Sequence, residues 1–309
     1  MHELDLSRHS LLIDPTLHVW GWEIPIYLFL GGMAAGAMIL TALLAGRAGP
    51  RSRAVRWLPF AAPLLVSAGM GALLLDLANK GNVWRFYLAL RPTSPMSWGA
   101  WILLVVYPVT LLAGLAGLEE GEAEALATRT GPLRGLVRAA RRFAAPRAAA
   151  LRGWSAGVGV ALGVYTGILL STLGARALWG SALLGPLFLA SGLSTGAAFL
   201  LLFPVDAEER RQLARWDLAA IGVEVALLLL FLVGLSTGGA ASRDAAALLL
   251  GGPFTAAFWS LVVVAGLAVP ALLEALEARR HLRPTLAAPA LVLAGGLALR
   301  VILVAAGQR

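Results

Sequence analysis

The chain is predicted to be an all-α integral membrane protein with eight transmembrane helices in two four-helix bundles, and three observations carry that expectation. Its 309 residues are 59% hydrophobic and only 14% charged, against roughly 25% charged for a soluble domain. Eight apolar runs, at about 23–45, 57–78, 97–118, 153–175, 182–204, 216–237, 254–275 and 286–306, each reach the ~18 residues that cross ~30 Å of hydrocarbon as a helix. None of them alternates with the period of two that the ~10-residue strands of a membrane barrel require.

Span 1 follows an N-terminal stretch carrying three acids and Arg8, without the basic region directly before a short apolar core that marks a cleavable signal. It is therefore expected to remain in the protein. Span 3 opens on "PTSPMSWGAW", where Ser94 before Pro95, or Ser97 before Trp98, can cap the helix and proline suits its first turn. Spans 1 and 5 share a pattern, "LFLGGMAAGA" and "LFLASGLSTGA", which aligns Gly32 with Gly192 and Gly36 with Gly196 after a one-residue slip. An offset of four spans preserves orientation, so a parallel repeat is allowed, with bundles at 1–175 and 176–309. Small residues every four positions, as at Gly159, Gly163 and Gly167, let helix backbones approach closely in lipid.

Orientation follows from the basic residues. Loops 1–2, 3–4, 5–6 and 7–8 hold 17 of the 25 Lys and Arg, and loop 3–4 alone carries Arg129, Arg134, Arg138, Arg141, Arg142, Arg147 and Arg152. That side is expected to be cytoplasmic, with both termini outside. The net charge of +8 is thus an orientation signal and implies no nucleic acid.

The absence of cysteine excludes thiolate-held iron–sulfur clusters in this protein. All four histidines, His2, His9, His18 and His281, lie outside the spans, so a bis-histidine haem between helices is excluded as well and no metal site is expected.

Ionisable groups inside a bilayer are costly and mark function by default. They are few: Glu23, Asp76, Glu224, Glu274 and Arg300, with Tyr27 and Tyr165 beside them and His18 just before span 1. The expected topology gathers His18, Glu23, Tyr27, Asp76 and Tyr165 in the outer half of the first bundle. Each also has a plainer reading: Asp76 as a partner of Lys80 or Arg85, Tyr165 as a packed core tyrosine, His18 as a solvated interfacial histidine, and Trp20, Trp22, Trp84 and Trp98 as belt anchors. Glu224 and Arg300 read either as a charge pair between spans 6 and 8 or as part of a proton path.

The motifs "WGWEIPIYLFLGGMAAG" (span 1), "PTSPMSWGAW" (92–101), "YTGILLS…LWGS" (165–181) and "LRVILVAAGQ" (299–308) resemble those of the NrfD-like family, the membrane subunit of polysulfide reductase and related respiratory complexes. The resemblance extends over nearly the whole sequence in order. It implies a subunit of the bacterial cytoplasmic membrane that exchanges electrons between the quinone pool, menaquinone or ubiquinone, and an extrinsic ferredoxin-like iron–sulfur subunit. A catalytic subunit, often a molybdenum enzyme, lies beyond, and the membrane subunit is not active alone. Tyr165 matches the pocket tyrosine of the family's span 4. The family's pocket histidine and asparagine of span 1 do not carry over, since Tyr27 and Ile24 align there, leaving His18, Glu23 or Tyr27 to substitute. On this reading Tyr165, His18 and Tyr27 bind the quinone while Asp76 and Glu23 handle protons. The alternatives are a proton-translocating module, in which Glu224, Glu274 and Arg300 matter equally, a secondary transporter built on repeated bundles, and a passive structural anchor with a degenerate quinone site.

Overall fold

Among the described residues, eight helices are long and apolar enough to cross a membrane. The computed structural model describes residues 20–47, 52–77, 79–88, 91–172, 176–280 and 285–309, and no strand occurs among them. The spans are Glu23–Gly46, Arg53–Asp76, Pro95–Gly117, Ala148–Ser171, Leu184–Leu201, Ala207–Thr237, Thr255–Glu277 and Ala287–Gly307.

Local chemistry sets their ends. Span 6 starts well before the expected 216 because Asp206 and Glu209 form a capping box: the Glu209 N–H donates to Asp206 Oδ1 at 2.8 Å, and the Asp206 N–H to Glu209 Oε2 at 3.0 Å. Span 2 starts early at Arg53, where Ser52 Oγ accepts the Val55 N–H at 3.3 Å. Span 7 contains a π-helical stretch, Phe258–Ala268, which the apolar pattern does not foretell.

Loop 3–4 is two docked helices, Glu120–Arg129 and Arg134–Ala144. Arg56 of span 2 pairs with Glu122 at 2.8 Å and Glu119 at 3.0 Å, and Arg141 donates to the Leu118 carbonyl at 3.0 Å. Part of the basic charge that marks this face is thus tied to the loop's own acids; Arg134 and Arg138 both reach Glu124. These bonds hold the Glu122 carboxyl below its ordinary range, the Arg56 hydrogen bond being the main cause.

Spans 1 and 5 lie at the centre. Span 1 packs on spans 2, 4, 5 and 8, and span 5 on spans 1, 4, 6 and 8; span 3 leans on span 4, and span 7 on span 8. The broadest helix–helix contact joins spans 1 and 5. It uses the repeated glycines: a Cβ on Gly196 would meet the Gly36 carbonyl carbon at 2.6 Å, and one on Gly192 would meet the Gly32 oxygen at 2.8 Å. Residues aligned by the internal repeat therefore face one another across the centre, and backbone rather than side chain fills the contact.

The start of span 1 and the end of span 8 meet on one face. The Trp20 N–H donates to Gln308 Oε1 at 2.9 Å, and Gln308 Nε2 donates to the Trp20 carbonyl at 3.1 Å. Trp20 stacks at 5.1 Å on Trp179, whose indole N–H donates to the Leu303 carbonyl at 2.8 Å. Loop 2–3 shares this face, and loop 3–4 lies on the opposite, basic one.

Candidate functional site

A cavity of about 560 Å³ opens between spans 1 to 4 at the loop 2–3 end. Four elements supply its polar groups: span 1 gives Tyr27, span 2 ends in Asp76, loop 2–3 gives Tyr87, and span 4 gives Tyr165. The remaining wall is chiefly apolar, including Ile24, Leu28, Met70, Leu73, Leu103 and Leu169. A few convergent polar groups in an apolar cleft of this size is the usual form of a small-molecule site.

The "PTSPMSWGAW" turn builds one wall. Pro95 is the first residue of span 3 and Ser94 its N-cap, but the Ser94 side chain makes no capping bond. The turn is held by other groups: Ser97 Oγ accepts the Arg91 N–H at 3.0 Å, and the Trp98 indole donates to the Pro92 carbonyl at 2.7 Å. It is thus closed on itself, which places Ser94, Pro95, Met96 and Gly99 on the cavity. A Cβ on Gly99 would overlap the Tyr165 phenol, with Cε1 at 2.5 Å. Glycine at this position makes room for the tyrosine.

Tyr165 and Tyr27 are both buried, at 5% and 4% exposure, with their hydroxyls in interaction range of each other. Asp76 is half-buried at the mouth and makes no ion pair with Lys80 or Arg85 among the described residues. The charged neighbour that acts on it is Glu23, which stands beside the cavity without lining it. Tyr87, absent from the sequence expectation, lies outside the spans; burial lifts its hydroxyl above the ordinary range, and Tyr107 adds to the effect. The only hint of it in the sequence is a tyrosine within "VWRFYLAL". His18 lies outside the described residues. A second cavity of about 490 Å³, lined by Asn79, Asn82, Arg85 and Arg91, adjoins the first through Leu77, Ser94 and Met96.

The sequence matches the family described as "Polysulphide reductase, NrfD" over residues 12–309. The chain belongs to the NrfD family. It is 34% identical over 305 residues to Protein NrfD of Escherichia coli (strain K12), a match that spans 94% of this sequence and 95% of that protein. It is 30% identical over 305 residues to the C chain of polysulfide reductase from Wolinella succinogenes, spanning 94% of each. Protein NrfD homolog of Haemophilus influenzae is 29% identical over 267 residues, 82% of each.

Two motifs that carried the family resemblance turn out to be architectural in this NrfD-family protein. Gln308 of "LRVILVAAGQ" ties the end of span 8 to Trp20 at the start of span 1, and Trp179 of "LWGS" ties loop 4–5 to Leu303 of the same motif. Glu224 and Arg300 act on one another as opposite charges between spans 6 and 8, but no ion pair within 4.0 Å joins them among the described residues. Arg300 donates to Ser191 Oγ and to the Gly296 carbonyl at 3.1 Å and lies 5.0 Å from the Phe188 ring. Ser191 of span 5 stands between Arg300 and Glu224, so span 5 bridges the charge of span 8 to that of span 6.

Proposed function

We propose that this NrfD-family protein is the quinone-reactive membrane subunit of a respiratory oxidoreductase complex, with its quinone site in the cavity between spans 1 to 4. The observation that supports this most is the convergence of Tyr27, Asp76 and Tyr165 on one largely apolar cavity of about 560 Å³. A flat ring with two oxygens and an isoprenoid tail needs an apolar cleft with hydrogen-bonding groups at its polar end, and these residues fit that need.

Menaquinone or ubiquinone, when bound, supplies two-electron, two-proton redox chemistry. The protein's own residues divide the remaining work. Tyr165, held in place by Gly99, offers a hydroxyl from span 4, and Tyr27 offers one from span 1. His18 is the further candidate for the headgroup. Leu28, Met70 and Leu103 exclude water and receive the tail. Asp76 at the mouth, with Glu23 beside it, moves protons between the cavity and the aqueous face.

Electrons pass to an extrinsic ferredoxin-like iron–sulfur subunit on the loop 2–3 face, and from there to a catalytic subunit, often a molybdenum enzyme. The adjoining cavity with Arg85 and Arg91 gives that face a basic rim. The spans divide into bundles at 1–175 and 176–309, and the protein lies in the bacterial cytoplasmic membrane with both termini outside.

The test is binding of a quinone analogue to the purified subunit and to the complex, for wild type, Tyr165→Phe and Asp76→Asn. Saturable binding weakened in Tyr165→Phe supports the site. Wild-type binding that Tyr165→Phe leaves unchanged, or no binding in either preparation, overturns it.

A further inference from the structure

The second half of the sequence holds buried acids that the quinone reading does not use. Asp217 of span 6 is completely buried and accepts a hydrogen bond from the Ser194 hydroxyl of span 5 at 2.6 Å on Oδ1. Glu274 of span 7 is 3% exposed, and its carboxyl lies beside that of Asp217. Asp217 Oδ2 and both Glu274 oxygens have no hydrogen-bond partner among the described residues. The charged groups that face the pair are acids as well: Glu224, two turns further along span 6, and Glu277, one turn further along span 7. No cation offsets either carboxyl among the described residues.

Two ionised carboxylates in contact in a low-dielectric interior repel one another and lose their hydration with nothing to compensate. The pair therefore holds at least one proton. Because Ser194 occupies Oδ1 of Asp217, Oδ2 is left for that proton.

Its place in the fold gives the proton a way out. Glu274 lies one turn before Glu277, whose carboxylate accepts the Thr285 N–H at 2.9 Å and hydroxyl at 3.0 Å at the end of loop 7–8. Asp217 follows Arg210, Arg211 and Arg215 on the same helix. Both carboxyls are thus a short step from the basic face, on the opposite side of the protein from the Tyr165 cavity. On their inward side Glu224, with Ser191, Ser194 and Thr195, packs tightly against Val262, Leu267 and Val292.

We propose that Asp217 and Glu274 form a proton-binding site that exchanges its proton with the basic face, separate from the cavity between spans 1 to 4. Ser194 orients Asp217, and the proton is shared between the two carboxyls. The site stands independently of the quinone reading.

Infrared spectroscopy of the full-length protein in lipid nanodiscs tests this, comparing wild type with Glu274→Gln and Asp217→Asn in ordinary and deuterated water. The expected result is a protonated-carboxyl C=O band in the wild type that shifts in deuterated water and is lost or displaced in each variant. Should Asp217→Asn fail to fold, Glu274→Gln carries the comparison. A wild-type band set unchanged by the substitutions means the pair holds no proton and overturns the proposal. A band that depends on the pair but does not shift in deuterated water marks a sealed, structural proton and overturns it equally.

Discussion

The phenol of Tyr165 occupies the space that a side chain on Gly99 would fill: a Cβ there would lie 2.5 Å from Cε1 and overlap the hydroxyl end. A motif glycine on span 3 and a motif tyrosine on span 4 are thus a single fitted pair. Gly99→Val is predicted to push the phenol off its position. Overpacking of this kind costs roughly 1–3 kcal/mol of stability, and a displaced hydroxyl loses its hydrogen bond to the ligand, so quinone-analogue affinity should fall about two- to tenfold or more. Gly157→Ala, where nothing lies within 4 Å, should leave binding unchanged. Equilibrium titration of both variants checks this.

Tyr165→Phe keeps the ring and removes the hydroxyl. One hydrogen bond is worth about 0.5–1.5 kcal/mol net, so analogue affinity should drop roughly two- to tenfold, with a modest fall in melting temperature because the buried Tyr27 hydroxyl loses its neighbour. A large loss of stability would instead make Tyr165 a packing residue.

Gln308 makes two hydrogen bonds to the Trp20 backbone, at 2.9 and 3.1 Å. Gln308→Ala should cost about 1–3 kcal/mol, read as a lower melting temperature in detergent. Analogue affinity should weaken with it, because Trp20 also lines the cavity.

Glycine at the centre tolerates no Cβ, since both neighbours are backbone. Gly36→Leu or Gly196→Leu should abolish folding or separate spans 1 and 5, whereas Gly71→Ala, facing open space, should express normally. Membrane expression followed by gel filtration checks the contrast.

The Glu122–Arg56 tie gives a pH dependence. The folded-state value of Glu122 is depressed from the ordinary 4.5, mainly by the Arg56 hydrogen bond, so its contribution is present above that pH and is lost as pH falls through the lower value. Helix Glu120–Arg129 should therefore loosen below about pH 4.5, seen as faster backbone hydrogen exchange, and Glu122→Gln should weaken the dependence, leaving the part owed to Glu124 and its arginines.

Much of this was legible in the sequence, and the part that was not has physical reasons. Apolar run length located the spans, because hydrocarbon thickness sets it. The repeat flagged Gly32, Gly36, Gly192 and Gly196, which then proved to face one another. Tyr27, Asp76 and Tyr165 were gathered by topology alone, since alternate spans place their ends on common faces. Asp217 was missed because it follows the basic stretch "ERRQLARWD", which reads as interface until the capping box at Asp206 is recognised as the start of the helix. The π-helical stretch of span 7 was invisible, for an all-apolar run carries no period to read.

The central claim is that quinone binds between spans 1 to 4, and photoaffinity labelling with an azidoquinone, mapped by peptide mass spectrometry, tests it most directly. The account predicts adducts on residues lining the cavity, around Met70, Met96 or Tyr165, that excess natural quinone suppresses. Competed labelling confined to spans 5 to 8, or labelling that natural quinone does not suppress, would contradict it.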